Sequence, residues 1–306
     1  MRKLFTFSVL LFFSISIFAQ YGPQYTHFMF NKMEFNPAYA GSAEVMTVSS
    51  IYRQQWQGIE GAPRTATVFG HTPFSNNRGG LGLSLTNDRI GMTNSMYAKI
   101  NYAYRVKLKK YNTLSLGLNV SVEHSRLDWN KAKLIDVVDD NLPIGQPSLS
   151  NANVGMGLYY QTPKFYLGAS APYLLKNALY ENSVLGLDNF QKFRHIYFMG
   201  GTIFPIGGKT IFKPSALVSY IPNAPIGIDF NANFLFANTI WIGASYRLRT
   251  AVSGLLQFQV SKQLKVGAAY DYILNDLSVN NIGTFEIMIE YVFDFENDKF
   301  SNIRYF

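Results

Sequence analysis

Residues 114–123 read Leu114-Ser115-Leu116-Gly117-Leu118-Asn119-Val120-Ser121-Val122-Glu123. Apolar and polar side chains alternate there without a break. A period of two sends successive side chains to opposite faces of a strand, so one face is apolar and the other polar. The pattern returns in Ile228-Asp229-Phe230-Asn231-Ala232-Asn233-Phe234, in Leu256-Gln257-Phe258-Gln259-Val260-Ser261 and in Thr284-Phe285-Glu286-Ile287-Met288-Ile289-Glu290-Tyr291. Between these, Val266, Ala268, Tyr270 and Tyr272 alternate with Lys265, Gly267, Ala269 and Asp271.

Working outward, about fourteen such segments can be placed. They fall near 45–55, 63–73, 78–88, 95–106, 113–124, 152–161, 164–173, 194–204, 209–220, 226–236, 239–249, 253–262, 264–274 and 283–295. The first two and the eighth alternate least well. Most run about ten to twelve residues, against five or six for an average soluble strand and about 9–11 for one crossing a bilayer at a tilt.

Alternation alone fits two architectures. A soluble sandwich or barrel turns its apolar faces inward, and a membrane barrel turns them outward to lipid. The even strand length, the Phe-, Tyr- and Leu-rich apolar faces and the number of polar faces favour the membrane. The connections agree. The longest gaps, 125–151 and 174–193, follow the fifth and seventh segments. Phe74-Ser75-Asn76-Asn77, Thr162-Pro163, Pro205-Ile206-Gly207-Gly208 and Ala237-Asn238 are compact turns after even-numbered ones. Membrane barrels have long outer loops and short periplasmic turns. The fold expected is all-β: a transmembrane antiparallel outer-membrane β-barrel of about fourteen strands over 45–306, preceded by a short non-strand segment.

Residues 1–19 read as a signal peptide, with Met1-Arg2-Lys3, an apolar run from Leu4 to Phe18, and cleavage near Ala19. Residues 20–44 do not alternate, and Asn36-Pro37-Ala38-Tyr39-Ala40-Gly41 punctuates them as a turn; they are expected to lie in the periplasm or packed in the lumen. The localisation expected is the outer membrane.

Composition fits. Charged residues are only 15%, below the roughly 25% of soluble domains, while Phe (25) and Tyr (20) are abundant. Mean hydropathy is +0.01, too low for a helical bundle. Loss of Arg2 and Lys3 with the signal peptide takes the net charge from +8 to +6. The rest is dispersed, without the basic, aromatic-interleaved clusters of a nucleic-acid binder, and no nucleic-acid partner is expected. The absence of Cys excludes a disulfide scaffold, a Cys-ligated zinc site, a thiol nucleophile and a lipoprotein anchor.

Candidate chemistry is sparse. His124-Ser125 is the nearest approach to a hydrolase pair, but neighbours on a strand face opposite ways. Asp136, Asp139 and Asp140 could hold calcium, though their spacing matches no EF-hand loop and a solvated loop is the simpler reading. No catalytic residue, cofactor site or metal site is assigned. Asp88, Lys99, Arg105, Glu123, Asp229, Arg247, Lys265, Asp271, Glu286 and Glu290 lie on polar faces, and in a membrane barrel would point inward. Their mixed signs favour ion pairs across a filled lumen.

The sequence also resembles a known family over nearly the whole mature chain. The resemblance rests on Gln24-Tyr25-Thr26-His27-Phe28-Met29-Phe30-Asn31, the Asn36–Gly41 stretch, Tyr52-Arg53-Gln54-Gln55-Trp56, Ala62-Pro63-Arg64-Thr65, His195-Ile196-Tyr197, Lys213-Pro214-Ser215, Asp229–Phe234, Trp241–Arg247, Ala269-Tyr270-Asp271-Tyr272 and Gly283–Met288. These motifs, in this order, resemble the PorP/SprF proteins of the Bacteroidota type IX secretion system. One departure is Thr284-Phe285 where members often carry Ser-His. The resemblance implies a non-enzymatic barrel that anchors a periplasmic complex, or that serves export or attachment of a large surface protein such as a gliding adhesin. The implied partners are outer-membrane lipid, periplasmic type IX secretion subunits and that secreted protein. Asn31, Asn36, Pro37, Gly41, Arg53, Trp56, His195, Asp229, Tyr246, Arg247, Asp271 and Glu286 are the motif residues singled out as partner-docking candidates, the first four for periplasmic docking or plug geometry. A passive porin or hydrophobic-solute channel is the alternative, and an outer-membrane hydrolase using His124 a more distant one.

Overall fold

The computed structural model describes residues 23–109, 111–128, 148–175, 177–178, 191–192, 194–222, 224–275 and 281–293. Asp136, Asp139 and Asp140 lie outside them. Strands β1 (Met46–Gln54), β2 (Arg64–Pro73), β3 (Gly79–Ile90), β4 (Thr93–Lys109), β5 (Asn112–Leu127), β6 (Ser148–Gln161) and β7 (Phe165–Tyr173) form one half of the wall. The other half is β8 (His195–Thr202, extended by Phe204–Gly207), β9 (Thr210–Tyr220), β10 (Gly227–Phe236), β11 (Ile240–Arg247), β12 (Ala251–Gln259), β13 (Leu264–Ile273) and β14 (Thr284–Phe293). Each strand pairs antiparallel with its neighbours in sequence, and β1 pairs with β14 from Met46–Phe293 to Gln54–Phe285, which closes the barrel. Every segment expected from alternation is a strand.

Strands β4, β5 and β6 run past the expected ends, toward the long connections after β5 and β7. Polar groups hold them there: Asn87 Nδ2 donates to Asn94 Oδ1 at 2.8 Å, and the Ser95 and Ser125 hydroxyls meet at 2.7 Å. Pairing continues after the apolar face has stopped, so alternation cannot mark these ends.

Exposure decides between the two architectures. Leu118 and Val120 are 61% and 58% exposed, while Asn119 and Ser121 between and beside them are 3% and 6%. Apolar side chains therefore point outward all round, as lipid requires. All ten polar-face charges named above are inward and wholly or largely buried. No helix among the described residues is long and apolar enough to cross a membrane.

The apolar core lies in the lumen. The N-terminal segment folds into it as a turn, the short helix α1 (Lys32–Phe35) and a 3-10 turn (Pro37–Tyr39). Its buried Tyr25, Phe28, Met29, Met33, Phe35, Ala38 and Tyr39 meet Ile51, Phe69, Tyr159, Tyr166, Met199, Leu255 and Met288 from the wall. Ile51, Phe69 and Met199 sit on β1, β2 and β8, the strands that alternate least well. Their inward positions are apolar because they face this plug. β8 also carries a register shift between His195 and Tyr197.

Candidate functional site: a plug tied to the barrel seam

The plug reaches the wall in almost every direction. Ser170 Oγ donates to the Phe35 carbonyl at 2.7 Å, and Phe35 meets Tyr197 edge-on at 5.3 Å. Phe30 packs edge-on to Trp241 at 5.9 Å. Ser84 Oγ and Lys99 Nζ both reach the Glu34 carboxylate at 2.7 Å. Tyr25 and Thr67 share a hydrogen bond at 2.7 Å.

The densest contact is at the seam. Arg53 on β1 is 1% exposed, and its guanidinium donates to Asp271 Oδ2 on β13 at 2.7 Å and Glu286 Oε2 on β14 at 2.9 Å. The same Arg53 donates to Thr26 Oγ1 of the plug at 2.8 Å, and that hydroxyl lies 2.7 Å from Asp271 Oδ1. Glu286 accepts the backbone N–H groups of Thr26 (2.9 Å) and His27 (2.8 Å), and its Oε1 lies 2.7 Å from His27 Nδ1. Taking such charges out of water costs several kcal/mol per ion, and only dense pairing offsets it. The network thus holds in one geometry only: first strand, last two strands and plug together.

Further along the plug, Asn36 ends α1 and caps the 3-10 turn, its Oδ1 accepting from Ala38 N–H at 3.0 Å while Nδ2 donates to the Leu158 carbonyl at 2.8 Å. Pro37, at the first position of that turn, lacks an N–H that would have had no partner. Gly157 on β6 leaves the room, since a Cβ there would overlap Asn36 Oδ1. Gly41 turns the chain with φ +74°, donates to His71 Nδ1 at 3.3 Å and accepts from Arg105 Nη1 at 3.0 Å. Asn31 is fully buried just before α1. Lys32 is buried with its ammonium 4.7 Å from the Tyr39 ring and 4.9 Å from the Tyr166 ring. Burial pulls its pKa down to about 7, against a smaller upward pull from Glu290. Burial likewise pushes the Tyr25 and Tyr39 phenols up, so both stay neutral.

Of the residues singled out from the sequence, Arg53, Asp271 and Glu286 converge at one point, and Asn31, Asn36, Pro37 and Gly41 form the plug. The others lie apart. Asp229 and Arg247 pair at 2.7 Å between β10 and β11. Tyr246 faces outward, 39% exposed. His195 stacks on Tyr197 inside the wall, ring centroids 6.0 Å apart. Trp56 lies in the β1–β2 connection, its backbone N–H donating to Thr284 Oγ1 at 3.1 Å. His124 and Ser125 are on opposite faces: His124 meets Ser150 Oγ at 2.9 Å, and Ser125 donates to Glu123 at 2.9 Å. Sequence reasoning missed Thr26, His27, Glu34 and Lys32 as plug contacts. Glu34 and Lys99 are 65 positions apart, beyond any local pattern.

The fold resembles solved outer-membrane proteins. The toluene transporter TbuX of Ralstonia pickettii matches with a TM-score of 0.53 at 11% identity, over 86% of this chain and 93% of that one. The outer membrane protein Omp33 of Acinetobacter baumannii matches with a TM-score of 0.49 at 10% identity, over 82% and 98%. At 11% identity the TbuX likeness speaks to the fold alone. No curated protein sequence matches. The family model for the type IX secretion system membrane protein PorP/SprF matches residues 17–291. That span takes in the plug, the seam and every strand but the end of β14, and the chain belongs to the PorP/SprF family of type IX secretion system membrane proteins.

Proposed function

We propose that the protein is a non-enzymatic scaffold of the type IX secretion system in the outer membrane, a closed barrel that anchors a periplasmic complex or receives one large exported surface protein. The plug carries this reading. A diffusion channel keeps its lumen wet, whereas here the lumen holds a packed apolar core and the network of Arg53, Asp271, Glu286, Thr26 and His27. Substituting His124 is expected to abolish no activity, because it sits near a strand end with its Nδ1 taken up by the Ser150 hydroxyl.

Affinity isolation of the tagged full chain from outer membranes, in a mild detergent, tests the proposal. It should bring down periplasmic secretion subunits or a large surface protein. The purified barrel in planar bilayers should show no steady conductance. Steady conductance together with recovery of no secretion component would replace the scaffold by a passive channel.

A further inference from the structure

The connections at one end of the barrel are all tight turns. They join β2 to β3, β4 to β5, β6 to β7, β8 to β9, β10 to β11 and β12 to β13. In order they carry Arg78; Lys107 and Lys109; Lys164; Lys209; none at Ala237-Asn238; and Lys262. All six described cations are exposed. None of the turn residues 74–78, 107–111, 162–164, 205–209, 237–239 or 260–263 is Asp or Glu. The charges are spread round the rim. Close to it, Glu44 lies 3.5 Å from the buried Arg105 and Glu290 2.6 Å from Lys265, so both carboxylates are already engaged.

From this placement we infer that the tight-turn mouth is a docking face for an acidic protein surface. The plug is held at this end through the buried Gly41 turn, which packs against Pro73 and Gly80 and accepts from Arg105, inside the ring of cations. A ring of like charge raises the potential over the mouth it surrounds and attracts opposite charge there. Lipid headgroups meet only the perimeter. The cations divide accordingly. Lys107, Lys109 and Lys209 stand beside the exposed apolar Leu108, Tyr111 and Ile206, where a side chain snorkels to headgroups. Arg78, Lys164 and Lys262 stand beside Asn77, Pro163, Ser261 and Gln263, on turns whose apolar side chains are less exposed, Phe74 at 37%, Phe165 at 38% and Val260 at 51%. Long loops mark the opposite end as the outer one, so this face is periplasmic. The inference rests on the scaffold reading for the identity of the partner, not for its chemistry.

The test compares the full-length wild type with R78E/K164E/K262E and K107E/K109E/K209E, each shown to be folded by heat-modifiable migration in gels. The probe is a fluorescein-labelled ten-residue polyglutamate, read by anisotropy in neutral detergent at low salt. Wild type should bind it saturably. R78E/K164E/K262E should bind on the order of tenfold more weakly, and K107E/K109E/K209E within about twofold of wild type. Equal loss in both forms would reduce the effect to net charge and overturn the inference. So would unchanged binding in R78E/K164E/K262E accompanied by loss of co-purifying phosphatidylglycerol, which would make the ring a headgroup site. The chain after β14 carries Asp294, Glu296 and Asp298. A gain in binding of about tenfold by D294N/E296Q/D298N would assign the face to the chain's own tail and overturn it too. Isolation from outer membranes separates the two readings. If wild type and R78E/K164E/K262E recover the same secretion subunits equally, the docking face is wrong and the scaffold stands. If wild type binds polyglutamate yet recovers no secretion component, the scaffold is wrong and the acidic-partner face stands.

Discussion

Arg53 and Glu286 are register partners across the seam between the first and last strands, and their side chains meet at 2.9 Å while both hold the plug. One contact therefore serves barrel closure and lumen filling together. Glu286→Gln should destabilise the folded barrel by about 3–5 kcal/mol, because it leaves a buried guanidinium and His27 short of a charged partner. Thr26→Val, which removes one hydroxyl from the same network, should cost about 1–3 kcal/mol. Urea midpoints in detergent micelles measure both. A wild-type midpoint for Glu286→Gln would remove the seam from the list of stabilising contacts.

Asn36 and Gly157 are complementary in shape. Asn36→Ala should cost about 1–2 kcal/mol for the lost cap and the lost bond to the Leu158 carbonyl. Gly157→Ala should cost about 1–3 kcal/mol by overpacking. The double variant should be less destabilised than the sum of the two, since Asn36→Ala vacates the space the new methyl needs. Strict additivity in the same urea titrations would mean the two positions do not share that space.

Lys32 gives the plug a pH dependence of unusual sign. Its pKa is near 7 in the folded protein and near 10.5 when the chain is unfolded, so between these values the unfolded state binds more protons. Folding stability therefore rises with pH from about 7 toward 10, by up to about 1.4 kcal/mol per pH unit, and this gain is absent below about pH 7. Lys32→Met should flatten the difference. Stability curves of wild type and Lys32→Met at about pH 6, 8 and 9.5 that run parallel would contradict it.

Gly41 has φ +74°, and a Cβ there would sit 2.8 Å from the Gly80 Cα. Gly41→Ala strains the backbone and pushes the plug off the wall at once. Trypsin, to which the buried Lys32 is closed in the wild type, should cut at Lys32 in the variant. Equal resistance of the two proteins would show that the turn tolerates the methyl.

Much of the barrel was legible because lipid imposes a rule on each strand separately. Leu118 and Asn119 report their faces without reference to any other strand. The plug follows no such rule. Its residues are chosen by partners far off in sequence, Glu34 by Lys99 and Thr26 by Glu286, so it showed only as a stretch without period and as a family motif. The inward apolar residues Ile51, Phe69 and Met199 blurred the alternation of three strands, and that blur was itself the mark of something packed inside. Arg53, Asp271 and Glu286 could be named from motifs, but their meeting needed the closure of the barrel.

The seam also orders assembly in time. Thr26 and Glu286 are 260 positions apart, among the most distant pairs the chain can form, and closing so long a loop is slow. Until β14 arrives, the segment that fills the lumen lacks half its anchor, and until that segment is seated, Asp271 and Glu286 share a single Arg53 across an unfinished wall. Closure around an empty lumen is thus disfavoured electrostatically, and the seam is complete only when the interior is in place.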